Sequence, residues 1–91
     1  MSLDLNNKSV LITGGTGSFG KMFTRLILER NPNIKRLVIL SRDEQKHFNM
    51  AMEFPTSKYP AMRYFIGDVR DQDRLVRAFE GIDIVINAAA M

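Results

Sequence analysis

The chain has 91 residues, 45% of them apolar and 25% charged, which is enough for one small core and too little for a two-domain enzyme. Thirteen Lys and Arg against ten Asp and Glu leave a net charge of +3, but the basic residues are scattered, which argues against a nucleic-acid-binding face and suits a small anionic ligand. There is no cysteine, so disulfides and thiolate metal sites are excluded, and neither a secretory signal nor an apolar run of about 18 residues is visible, so a cytoplasmic chain without membrane spans is expected.

The first predicted element is a strand, Val10-Leu11-Ile12, short and wholly apolar as in a strand buried on both faces. It runs into Thr13-Gly14-Gly15-Thr16-Gly17-Ser18-Phe19-Gly20, which satisfies both Gly14-x-x-Gly17-x-x-Gly20 and Gly15-x-Gly17-x-x-Gly20. A helix follows, because Phe19, Met22, Phe23, Leu26 and Ile27 recur at helical spacing until Asn31-Pro32 stops them. A glycine turn between a strand and a helix carries a specific chemistry. Glycines permit the tight turn and let backbone N–H groups approach a diphosphate, while the helix N-terminus faces its oxygens with about half a positive charge. The sequence therefore predicts a dinucleotide cradle of the Rossmann type, against the alternative of a glycine-rich turn that binds nothing.

The second strand, Leu37-Val38-Ile39-Leu40, ends in Ser41-Arg42-Asp43, about 20 residues past the glycines, where adenosine-ribose selectivity is decided. A hydroxyl and a guanidinium nearest the strand end suit a 2′-phosphate, so NADP is the expected cofactor, with Lys46 one turn along assisting Arg42. The competing reading makes Arg42 a solvated loop residue and Ser41 only a helix cap, since Ser41 stands three residues before Glu44 as in a capping box. The helix itself is expected to carry Phe48 and Met52 on its apolar face and to end before Pro55, with His47 as surface or helix filler and Met22, Met50, Met52 and Met62 as core packing. No Cys or second His stands at metal-ligand spacing from His47, so no metal site is expected.

A third strand, Tyr64-Phe65-Ile66, ends in Gly67-Asp68-Val69 at the height of an adenine ring, where Asp68 can accept from the exocyclic amine and Val69 offers a backbone amide, or where Asp68 is merely a turn residue. Asp71 can cap a third helix bearing Leu75, Val76 and Phe79, and Gly81 supplies a left-handed stop. The fourth strand, Ile84-Val85-Ile86, leads into Asn87-Ala88-Ala89-Ala90, where small side chains admit a ribose and nicotinamide or simply fill a tight core. The order β-α-β-α-β-α-β predicts an α/β, doubly wound parallel sheet with strands in the order 3-2-1-4, the ligand lying beyond the carboxyl ends at the switch between strands one and four.

Taken together, the glycine turn, Leu40-Ser41-Arg42-Asp43-Glu44, Arg63-Tyr64-Phe65-Ile66-Gly67-Asp68-Val69-Arg70-Asp71 and Ala78-Phe79-Glu80-Gly81 resemble the extended short-chain dehydrogenase/reductases. Within them the likeness is greatest to the inverting UDP-N-acetylglucosamine 4,6-dehydratases of nucleotide-sugar, polysaccharide and flagellin-glycan synthesis, and it spans residues 8 to 91. The resemblance implies an NADP-dependent lyase acting on a UDP-sugar. By analogy Thr16, Ser18 and Phe19 touch the diphosphate, Ser41, Arg42 and Lys46 the 2′-phosphate, Asp68 and Val69 the adenine, and Ala88, Ala89 and Ala90 the ribose side. The family's catalytic Tyr-x-x-x-Lys pair has no counterpart, since Arg63 and Asp68 stand four residues after Tyr59 and Tyr64. Residues 1–91 are thus expected to be a partial NADP-binding domain, inactive alone, without the substrate domain and prone to homo-oligomerise through its open fourth strand. An NADP(H)-sensing module without catalysis and a UDP-sugar 4-epimerase fragment are the alternatives, the latter opposed by its usual preference for NAD.

Overall fold

In the computed structural model, which describes residues 4–14, 16–67 and 70–88, seven elements alternate along the chain. They are β1 (Ser9–Thr13), α1 (Ser18–Arg30), β2 (Arg36–Ser41), α2 (Glu44–Glu53), β3 (Met62–Ile66), α3 (Gln72–Phe79) and β4 (Ile84–Asn87). All strands are parallel and lie in the order β3-β2-β1-β4, as the alternation of apolar runs and helices predicts. The register sets Thr13 of β1 beside Leu40 of β2 and Asn87 of β4, so the carboxyl ends of the three strands are level where the glycine turn begins.

Two cores flank the sheet because successive residues of a strand point to opposite faces. Val10, Ile12, Leu37, Ile39 and Met62 pack with Ile27 of α1 and with Met50 and Phe54 at the end of α2, whereas Leu11, Val38 and Leu40 pack with Ala78 of α3. The two central strands are buried on both faces; β3 and β4, each with a neighbour on one side, are buried only in part.

Helix phases depart from the apolar pattern in all three helices; in α1 Met22 and Leu26 are exposed while Thr24 and Ile27 are buried. In α2 the buried residues are His47 and Met50, followed by Phe54, while Phe48 and Met52 are 62% and 69% exposed. The cap explains this phase. Asp43, not Ser41, is the N-cap, its carboxylate accepting from Lys46 N at 3.1 Å, which places positions 47, 50 and 54 against the sheet. In α3 the inward residue is Ala78, with Leu75 half-buried and Val76 70% exposed. Of the four methionines expected in the core, Met50 and Met62 are buried, and Met22 and Met52 lie on the surface.

The stops at Asn31 and Gly81 lie where the punctuation predicts. Asn31 closes α1, its buried side chain donating to Ile27 O at 3.1 Å and accepting from Leu5 N at 2.8 Å. Asp71 immediately precedes α3, and Gly81 beyond it takes a left-handed φ of 72°. There Arg36 donates to the carbonyls of Glu80 and Gly81, each at 3.2 Å, and to Ser9 Oγ at 3.3 Å. Asp83 then accepts from Ser9 N at 2.8 Å, which anchors the start of β4 beside the start of β1. Among the described residues no helix is long and apolar enough to cross a membrane.

Candidate cofactor site at the carboxyl edge of the sheet

The site begins where β1 runs out. Gly14 N still pairs with Leu40 O at 2.9 Å, but Gly14 itself adopts φ 67°, a left-handed turn that glycine makes at little cost. Gly17 is the N-cap of α1 in an extended conformation, φ −77° and ψ 177°, with no side chain capping the helix and no acidic residue in the first turn. The N–H groups that open a helix lack intrahelical partners, so this end presents donors and partial positive charge to whatever lies in front of it. Among the described residues a Cβ built on Gly17 would meet only Gly14 O, at 3.9 Å. The protein thus leaves open the space that a phosphate needs to approach the backbone, and the residues present fit a dinucleotide diphosphate. Ser18 is exposed at the first helical position, Phe19 is half-buried against the core with its ring 5.1 Å from that of Phe23, and Gly20 is buried.

One buried side chain ties this turn to the end of β2. Thr16 Oγ1 donates to Ser41 Oγ at 3.1 Å, and Asp43 N donates to the same oxygen at 3.2 Å. Arg42 follows in the bend between β2 and α2, and Arg42 and Lys46 are both exposed there, Lys46 on the first turn of α2. The structure therefore brings together Gly14, Thr16, Gly17, Ser18, Ser41, Arg42 and Lys46 at one edge of the sheet. It takes the capping role from Ser41 and leaves that hydroxyl linked to the glycine turn.

At the switch point between β1 and β4, Thr13 Oγ1 donates to Asn87 Oδ1 at 3.0 Å, joining the last residues of the two strands. Ala88 beyond them is buried within the core on the α1 and α2 side. Asp68, Val69, Ala89 and Ala90 lie outside the described residues. Among the described residues no cluster of His, Asp or Glu could hold a metal ion.

Sequence reasoning missed His47, which is 3% exposed and not surface filler. Its Nε2 lies 3.0 Å from Ser41 O, and because a carbonyl oxygen only accepts, Nε2 carries the proton. Nδ1 is then a buried lone pair with no partner among the described residues. Burial pushes the imidazole below its usual pKa, against the opposing pull of the Ser41 and Phe65 backbone and the Asp43 carboxylate, so the ring is neutral at physiological pH. Tyr64 packs edge-on at 5.9 Å and donates to Phe54 O at 2.7 Å; burial, with Glu53 nearby, raises its hydroxyl pKa to about 12. The available signal was spacing, since His47, Met50 and Phe54 form a stripe of their own beside the more apolar Phe48 and Met52. Thr13 and Asn87 were legible as polar residues closing adjacent strands.

Residues 10–91 match the family model described as polysaccharide biosynthesis protein. The inverting UDP-N-acetylglucosamine 4,6-dehydratase of Campylobacter jejuni is 56% identical over 87 residues, covering 94% of this chain and 25% of the dehydratase. The UDP-glucose 4-epimerase of Rickettsia prowazekii is 40% identical over 87 residues, covering 93% of this chain and 25% of the epimerase. Among solved structures, Pen from Bacillus thuringiensis superposes with a TM-score of 0.85 at 39% identity, covering 98% of this chain and 27% of that one. The chain spans about a quarter of the length of these curated relatives.

Proposed function

This chain belongs to the polysaccharide biosynthesis protein family, and from that premise we propose that it is the NADP-binding portion of an inverting UDP-N-acetylglucosamine 4,6-dehydratase. The observation that carries the reading is the open, acid-free N-terminus of α1 behind Gly17, which fits a diphosphate and has room beside Gly17. The identity of 56% to a Campylobacter jejuni enzyme of that name supports the choice of reaction.

Each residue has a definite task in this reading. Gly14 turns the chain, Gly17 leaves the approach open, Gly20 lets α1 lie close to the sheet, and the backbone around Thr16, Ser18 and Phe19 binds the diphosphate. Ser41, Arg42 and Lys46 hold the ribose 2′-phosphate, Asp68 and Val69 border the adenine, and Ala88, Ala89 and Ala90 border the nicotinamide ribose. When bound, NADP+ supplies transient hydride storage, which the dehydration requires because the sugar is oxidised at C4 and reduced at C6 with inversion at C5. This segment orients the cofactor and contributes no group that moves a proton on the sugar, so the 91 residues alone are inactive. The groups that act on the sugar, and the UDP-sugar site itself, belong to other parts of the enzyme.

The epimerase reading is favoured by the 40% identity to UDP-glucose 4-epimerases, and cofactor choice separates it from the first. The test is a parallel calorimetric titration of the full-length enzyme with NADP+ and NAD+, repeated with Arg42→Ala. Loss of one charge-assisted bond, about 1.5–3 kcal/mol, weakens NADP+ by roughly ten- to a hundred-fold and leaves NAD+ unchanged. Equal affinities in the unsubstituted enzyme, or no response to the substitution, would remove the 2′-phosphate assignment.

A further inference from the structure

We propose that His47 is a positioning residue for cofactor discrimination, holding through its Nε2–H the carbonyl of Ser41 and with it the segment at which the 2′-phosphate is read. The inference rests on the NADP reading of Ser41 and Arg42 given above.

Ser41 is a junction of four hydrogen bonds. Its carbonyl accepts from Gly67 N at 3.0 Å and from His47 Nε2 at 3.0 Å, so both lone pairs are used. Its hydroxyl joins Thr16 on the glycine turn and Asp43 N at the start of α2. Three of these bonds come from the strand neighbour, the glycine turn and the adjacent cap. Only the His47 bond links Ser41 to the buried face of α2, and the ring is fixed there by burial and by the edge-on Tyr64. The Nε2–H is spent on Ser41, which a leucine at this position could not hold.

Arg42 follows Ser41 directly, and charge-assisted recognition of a phosphate tolerates displacements of only about 0.5 Å. The diphosphate cradle is held separately, by Gly14 N on Leu40 O at 2.9 Å and by the start of α1. Loosening Ser41 therefore affects the 2′-phosphate before it affects the diphosphate.

The experiment titrates the full-length enzyme calorimetrically with NADP+ and NAD+ in His47→Gln, His47→Asn and His47→Leu. A Gln amide reaches the Ser41 carbonyl from the same helical position, whereas an Asn amide falls short by one methylene. Gln should keep the ratio of NADP+ to NAD+ affinity within about twofold, while Asn and Leu should lower it about tenfold through weaker NADP+ binding at unchanged NAD+ affinity. Retained NAD+ binding reports an intact fold, and the Gln and Asn pair decides the question even if the Leu variant does not fold. A preference for NADP+ that survives in the Asn variant, or equal weakening of both cofactors, overturns the role of His47 alone. Equal affinities before any substitution overturn the NADP reading and this inference together.

Discussion

At Gly17 the backbone is extended, with φ −77° and ψ 177°, a region open to any residue, and among the described residues a Cβ there would meet only the Gly14 carbonyl oxygen at 3.9 Å. Nothing among the described residues demands glycine at this position. Gly14 is different, because its φ of 67° strains any residue with a side chain. The two glycines look alike in the motif, but one serves the turn and the other serves what approaches it. Gly17→Ala is therefore expected to leave stability unchanged or raise it by up to about 1 kcal/mol, through a less flexible unfolded chain. The same substitution should weaken NADP+ and NAD+ alike by more than about tenfold, because both carry the diphosphate. Thermal unfolding and cofactor titration on one preparation check this, and a destabilised variant with normal affinity would refute the division of labour.

At the level of elements, the strand order and the glycine turn were legible because they depend on strong local signals: four short apolar runs, glycines between strand and helix, and breakers at Asn31-Pro32, Pro55 and Gly81. The phase of α2 was not legible. Its two most conspicuous apolar side chains, Phe48 and Met52, are four residues apart and imitate a core stripe, yet the sheet is met by His47, Met50 and Phe54. The helix is capped by Asp43, two residues beyond the Ser41 that the capping-box pattern singled out. Composition could not show that the Ser41 hydroxyl was already engaged with Thr16. That misreading also hid His47, since a histidine placed on the outer face attracts no role. Asp43→Ala removes the side chain that accepts from Lys46 N and is expected to cost about 1 kcal/mol in urea unfolding, whereas Asp43→Asn retains most of the cap. An Ala variant as stable as the original would return the cap to Ser41.

On the scale of the whole molecule, the accessible surface is 5976 Å², while a monomer of 10.4 kDa is expected to expose only about 5400 Å². The excess has an identifiable composition. Phe48 and Met52 on α2, Met22 and Leu26 on α1, Val76 and Phe79 on α3, Ile66 on β3 and Val85 on β4 are all exposed, so each helix and both edge strands carry uncovered apolar side chains. On the α3 side an open groove of about 550 Å³ runs along Leu75, Val76 and Phe79, bounded by Gln72 and Glu80. Curated relatives are about four times as long, which is ample chain to cover such faces. For the 91 residues taken alone, removing these side chains from water gains about 25 cal/mol per Å², so pairing even half of the excess area between copies is worth several kcal/mol per dimer before association costs. The unpaired edge of β4 offers backbone donors and acceptors for the same contact. The isolated chain is therefore expected to self-associate with rising concentration in sedimentation velocity, and its unfolding midpoint should rise with it, because association stabilises only the folded state. A monomer at all concentrations with a sharp, concentration-independent transition would show that these faces are tolerated in water as they stand.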